Sequence, residues 1–329
     1  MRTICTLLAL ASPFAAAMAQ TSDAPKASPS ALNDALKKRQ AQAQNVKLPL
    51  PANLERRTLR VGDVEREFFL HVPDAVKGRA APVVFALHGG AANSGLQMHY
   101  KSDYTKVADR EGFVVVYPSG LKGWNIGVPD AYFVRNFSSE ADDTGFFKAM
   151  FDTLIADGIA DAKRIYVTGG SNGGMMTYRL VCQFADRIAG AGVLVATLPK
   201  SAPATWPKPS RPVPMVIMLG TVDPIVRHEG TAQSLSADAT VAHWRQVNEC
   251  VADSKKWDLP DGDPKDGTRV HAERWEGKAP IVFYQLEGHG HGWPMSQDRS
   301  GATGPKTQDI SAPEEFWRFF SSGESKQTP

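Results

Sequence analysis

The sequence predicts an α/β fold: a mostly parallel sheet with helices on both faces and no large lid domain. Three observations carry this. Short, wholly apolar runs such as Pro82–Leu87, Phe113–Tyr117 and Val213–Leu219 alternate with amphipathic segments, as strands buried on both faces do when helical crossovers join them. The chain has 329 residues, 42% hydrophobic and 22% charged, which is a globular composition and excludes a disordered or collagen-like chain. Only residues 196–212 separate two of the apolar runs, too few for a helical lid.

The elements follow in order. Arg2, an apolar stretch from Ile4 to Ala17 and the small residues Ala17 and Ala19 predict a signal peptide over residues 1–19 and a secreted chain with no membrane association after cleavage. Residues 20–54 are rich in Ala, Pro, Gln, Ser and Lys and read as a flexible linker with a short helix around Ala31–Gln42. The catalytic domain is expected over 55–321, with a tail at 322–329. It opens on a hairpin, Arg57–Val61 and Glu65–Val72 about Gly62-Asp63. Strands are expected at Pro82–Leu87, Phe113–Tyr117, Arg164–Thr168, Ile188–Val195, Val213–Leu219, Val270–Glu276 and Ile281–Leu286. Helices are expected at Met98–Arg110, Asp143–Asp157, Asn172–Phe184, Ser236–Asn248 and Pro313–Phe320.

Gly169-Gly170-Ser171-Asn172-Gly173 fits G-x-S-x-G directly between a strand and a helix. Such a turn lifts the serine hydroxyl above the sheet beside the helix's free N–H groups. A hydroxyl is a poor nucleophile until a base takes its proton. Asp223, just past Val213–Leu219, is placed to orient an imidazole. The base must lie beyond it, after a later strand. His228, His243 and His271 sit in a turn, a helix pattern and a strand pattern. His289 and His291 both lie in the glycine-rich loop after Ile281–Leu286, and spacing leaves the two open. The oxyanion hole needs two backbone N–H groups; Asn172 and Gly90 are the candidates.

No H-E-x-x-H or C-x-x-C is present, so neither a metal nor another cofactor is expected. The formal charge, 37 basic less 35 acidic residues or +2, argues against a nucleic-acid partner. Cys182 and Cys250 fit either a disulfide or free thiols, the latter being the plainer reading.

Leu87-His88-Gly89-Gly90, Val167 to Met176 around Ser171, Gly220-Thr221-Val222-Asp223-Pro224 and Glu287-Gly288-His289-Gly290-His291-Gly292-Trp293-Pro294 resemble the secreted poly(3-hydroxybutyrate) depolymerase and feruloyl esterase group. Asp142-Asp143-Thr144-Gly145-Phe146 and Asn248-Glu249-Cys250 are also similar to it. The resemblance spans residues 55 to 321 and implies an α/β-hydrolase fold and serine esterase chemistry on a polymeric or bulky ester. It implies that His291 is the base, from the motif G-H-x-W-P. Leu194 to Pro199 and Val226-Arg227-His228 depart from the group's pattern near the expected mouth.

Trp293, Trp124 and His88 are the candidate substrate-binding residues, with Tyr132 and Phe133 as further aromatics in the long loop 119–141. Lys200, Lys208, Arg211 and Arg227 suggest a positive rim. Such a rim would favour the alternative function, a serine amidase or peptidase acting on an acidic polymer such as poly(aspartate). A silent polymer-binding module is a third reading.

Overall fold

The structure, a computed structural model, describes residues 48–90, 94–128, 140–296 and 303–324. The expected signal peptide, most of the linker, Tyr132, Phe133 and the end of the tail lie outside the described residues.

Ten strands form one sheet: β1 (Glu55–Val61), β2 (Val64–His71), β3 (Ala81–Leu87), β4 (Val114–Pro118), β5 (Ala160–Gly170), β6 (Gly190–Leu194), β7 (Met215–Gly220), β8 (Ser254–Asp258), β9 (Arg269–Trp275) and β10 (Ile281–Glu287). Their order is β1-β2-β4-β3-β5-β6-β7-β10-β9-β8. The block β4-β3-β5-β6-β7-β10 is parallel throughout. Antiparallel pairs close both ends. The opening hairpin pairs Val61 with Val64, and Gly62 supplies the positive φ of 57° that the tight turn requires.

The central strands read as unbroken apolar runs because each face is covered. On β3, Val83, Phe85 and Leu87 join one cluster, with Phe146, Phe147, Met176, Leu180 and Trp244. Val84 and Ala86 join the other, with Tyr104, Val107, Phe316 and Phe320. One face therefore carries α3 (Asp143–Ala156), α4 (Asn172–Phe184) and α6 (Ala237–Val247). The other carries α1 (Gly95–Lys101), α2 (Tyr104–Glu111) and α7 (Ala312–Glu324). Each fully buried aromatic of this kind contributes roughly 1.5–3 kcal/mol relative to exposure.

Two elements differ from the sequence reading. The helix expected over Met98–Arg110 is two, because Ser102 turns extended and its hydroxyl donates to the Met98 carbonyl at 2.9 Å. Asp103 then starts α2. Strand β8, Ser-Lys-Lys-Trp-Asp, carries no apolar alternation because it is an exposed edge whose lysines discourage further pairing. Between β6 and β7 stands only the single-turn α5 (Ala202–Thr205), sealed by buried Trp206. Among the described residues there is no lid domain.

Cys182 and Cys250 are both free. Of the expected rim cations, Arg211 donates to the Ile188 carbonyl just before β6. That is the amino end of the parallel strands, opposite their carboxyl edge, which corrects its expected place at the mouth. Arg227 is paired with Glu229.

Candidate active site

Ser171, Asp223 and His291 follow β5, β7 and β10, three parallel strands whose carboxyl ends share one edge of the sheet. Ser171 adopts φ 57° and ψ −124°, a strained backbone that a side-chain-bearing residue keeps only when its surroundings enforce it. The enforcement is visible. The Ser171 N–H donates to the Leu194 carbonyl at 3.0 Å, and the Ser171 carbonyl accepts from Met175 N–H to begin α4. The flanking glycines are sterically required: a Cβ on Gly169 would lie 2.5 Å from the Gly173 carbonyl carbon, and one on Gly173 only 2.4 Å from the His88 carbonyl oxygen.

The Asp223 side chain is almost wholly buried. Its Oδ1 accepts from the N–H groups of Ile225 and Val226, both at 2.8 Å. Its Oδ2 meets His291 Nδ1 at 2.8 Å. The His291 side chain is 13% exposed, so the ring is held from below and reachable from above. Among the described residues the Ser171 hydroxyl has no hydrogen bond. A catalytic contact commonly tightens only around bound substrate.

His289, which spacing could not separate from His291, is fully buried with both nitrogens engaged. Thr307 N–H donates to Nδ1 at 3.0 Å, so the proton sits on Nε2, which donates to the Gly292 carbonyl at 3.1 Å. It has no free nitrogen with which to act on a hydroxyl.

Gly90 lies buried in the turn after β3. That loop flanks Ser171, since a Cβ on Gly89 would stand 3.4 Å from the Ser171 Cβ. The Asn172 N–H belongs to the first turn of α4, whose amides have no partner within the helix. Asn172 thus follows the serine in the chain, and Gly90 follows the glycine that lies against it. The Asn172 side chain has a separate task that the sequence did not disclose. Its Oδ1 accepts from Trp124 N–H at 2.6 Å and its Nδ2 donates to the Trp124 carbonyl at 3.3 Å, pinning the 119–128 loop.

Trp124 and His88 are corrected as substrate-binding candidates. Trp124 is 0% exposed and His88 1%. The rings lie 4.7 Å apart, and Trp124 Nε1 donates to the His88 carbonyl at 2.8 Å. His88 accepts at Nε2 from Gly120 N–H and donates from Nδ1 to the Gly89 carbonyl, both at 2.9 Å. The pair joins the Gly89-Gly90 loop to the 119–128 loop from beneath and meets no solvent. Trp293 is half-buried, with its Nε1 3.4 Å from where a Cβ on Gly170 would stand, and it contacts Tyr104 edge-on at 6.0 Å. Of the aromatic candidates described, it is the one beside the serine with an exposed part.

Burial pushes the pKa of both His88 and His289 from 6.5 down to about 4. The unfolded rings gain protons below about pH 6.5 that the folded ones refuse until about pH 4, so stability falls as pH drops through that window. His271 has the opposite sign. Hydrogen bonds that its ring donates to Glu287 and Asp258 raise its pKa, so its contribution is complete below 6.5 and is lost as pH rises through the raised value. Between pH 6 and 5 the unfolding free energy is therefore expected to fall by up to about 2.7 kcal/mol, the limiting slope for two protons. Denaturant titrations at half-unit pH steps check this; a flat profile would contradict the assignment of both rings as neutral.

The architecture and the serine-bearing turn define the α/β-hydrolase fold. Comparison with known proteins adds to this. Residues 100–206 match the prolyl oligopeptidase family. The chain is 26% identical over 239 residues to a bifunctional acetylxylan esterase/xylanase of Neocallimastix patriciarum, covering 71% of this chain and 32% of that protein. It is 26% identical over 242 residues to feruloyl esterase B of Piromyces equi, covering 69% and 42%. It is 30% identical over 126 residues to poly(3-hydroxyalkanoate) depolymerase C of Paucimonas lemoignei, covering 38% and 30%. Each match thus spans less than half the length of the relative. The acetyl xylan esterase structure from Aspergillus awamori superposes with a TM-score of 0.50 at 17% identity, covering 74% of this chain and 97% of that one, which speaks to the fold. The likeness to the esterase and depolymerase group expected from the sequence holds.

Proposed function

We propose that this chain is a secreted serine hydrolase that cleaves carboxylic esters of a polymer or bulky conjugate through an acyl-enzyme. Ser171 Oγ attacks the ester carbonyl while His291 Nε2 takes its proton. The N–H groups of Asn172 and Gly90 stabilise the oxyanion. The tetrahedral intermediate collapses, the C–O bond to the alcohol breaks, and His291 returns the proton to the departing oxygen. Water, deprotonated by the same ring, then attacks the acyl-Ser171 carbonyl and releases the acid. Asp223 holds the imidazole in the tautomer this needs. No metal or organic cofactor enters the scheme.

The observation that carries the reading is the 2.8 Å Asp223–His291 hydrogen bond on the sheet edge that also bears the strained Ser171. The short connection between β6 and β7, which holds only the single-turn α5, and half-buried Trp293 beside the serine turn support a bulky acyl or alcohol group. The esterase and depolymerase names of the relatives favour esters. The match of residues 100–206 to a peptidase family favours a second reading, amide hydrolysis by the same residues.

A substrate panel tests this: short nitrophenyl esters, feruloyl esters, hydroxybutyrate oligomers, poly(aspartate), and amides matched to the best ester. Turnover of one or more esters with the matched amide much slower is the expected result. An amide cleaved as fast as its ester establishes the second reading. No turnover on any member contradicts both.

A further inference from the structure

We propose that His289 is a positioning residue that fixes the loop of the base His291; the inference rests on the reading of His291 given above. The loop 288–293 has no regular structure of its own and must nevertheless present one ring to two partners. Its backbone is fastened at His291 and just before it. Gly290 N–H donates to the Pro305 carbonyl at 2.8 Å, and His291 N–H to the Thr303 carbonyl at 2.6 Å. The His289 carbonyl accepts from Val222 N–H at 3.2 Å, tying the loop to the residue before Asp223. The His289 ring completes the set by bridging Thr307 N–H and the Gly292 carbonyl.

The contact to Gly292 matters most. Gly292 has φ 151°, where L side chains are rarely found, and a Cβ there would meet the Lys306 Cε at 2.5 Å. This residue directly after the base could rotate freely in an unfastened loop. The His289 Nε2–H holds its carbonyl and so removes that freedom. An apolar side chain of equal size would fill the space but leave a buried amide and a buried carbonyl without partners. Only a side chain with a donor and an acceptor on opposite ends does both tasks. Around the ring stand Lys306, Asp223 and His291. The ring is neutral, because a proton on Nδ1 would point at the Thr307 N–H. A misplacement of a reacting group by about 1 Å can cost about 100-fold in rate, so the effect should appear in kcat.

The test uses His289→Gln, His289→Asn and His289→Phe in the full chain. Readouts are kcat and KM on the best soluble ester of the panel, the rate of fluorophosphonate labelling at Ser171, and Tm. The Phe variant should lose about 100-fold in kcat and in labelling rate with KM within about threefold. Gln, which keeps a donor for the Gly292 carbonyl, should recover most of the loss. Asn, whose shorter amide reaches Thr307 N–H but leaves the Gly292 carbonyl without a donor, should not. Should Phe fail to fold, the Gln and Asn pair decides alone. All folded variants within about threefold of wild type in kcat, or losses that follow Tm regardless of the donor, overturn the inference while leaving Ser171 chemistry intact. A wild type that neither turns over nor labels overturns the reading of the site itself, and this inference with it.

Discussion

Replacing Ser171 with alanine is expected to lower kcat/KM on esters by on the order of 10⁴-fold or more, with the chain still folded. The hydroxyl has no described hydrogen bond, so removing it costs the fold little. Alanine also keeps a Cβ in the φ 57°, ψ −124° conformation, so the strain remains. Ser171→Gly is equally inactive but should be more stable than Ser171→Ala by about 1 kcal/mol or more, since glycine tolerates that backbone. Asp223→Asn should cost about 10⁴-fold in kcat for a different reason. An amide can keep its oxygen on the Ile225 and Val226 N–H groups, but then turns its NH2 toward His291 Nδ1. That forces the proton onto Nε2, the nitrogen that must accept from serine. Steady-state kinetics beside denaturant unfolding separates these outcomes. Wild-type turnover in either inactive variant would remove the residue from its role.

The second large effect lies in the fold. Asp143, the first residue of α3, and Arg66 on β2 are both almost wholly buried and meet at 2.6 Å. The other Asp143 oxygen accepts from Asn125 N–H at 2.6 Å. Arg66 also donates to the Ser119 carbonyl and lies over the Phe146 ring at 4.3 Å. Burial raises the Asp143 pKa, and the charge of Arg66 opposes the shift. Asp143→Ala leaves a guanidinium in the core without its counter-charge, a loss of about 3–5 kcal/mol. It also frees Asn125, one residue from Trp124, so the loop over the oxyanion turn should loosen. Pairing Arg66→Met with Asp143→Leu should regain much of the stability, because an apolar pair needs no compensation. Chemical denaturation of the single and double variants checks this. A single variant within 1 kcal/mol of wild type would show that the pair carries little.

Legibility in the sequence followed the physics of each element. Apolar runs and the glycines around Ser171 are local signals, and both the parallel block and the strained turn could be read from them. Strand β8 escaped because an exposed edge has no buried face to impose alternation. The split between α1 and α2 depends on one serine back-bonding to Met98, which periodicity does not record. Trp124 and His88 were misread because an aromatic near a motif looks the same in sequence whether it faces a ligand or the underside of the loop. The work of Asp143 was invisible for the same reason, since its partners stand on β2 and in the 119–128 loop. His289 and His291 were indistinguishable by spacing because they differ only in what surrounds their rings.

The central claim is that the strained serine is a nucleophile driven by the Asp223-supported imidazole. The most direct measurement is intact-mass analysis of the folded chain after a fluorophosphonate, followed by peptide mapping, for wild type and His291→Ala. The account predicts one adduct, on Ser171, forming at least about 10³-fold more slowly in the variant. A folded wild type that takes no label, or takes it on another residue, would contradict it.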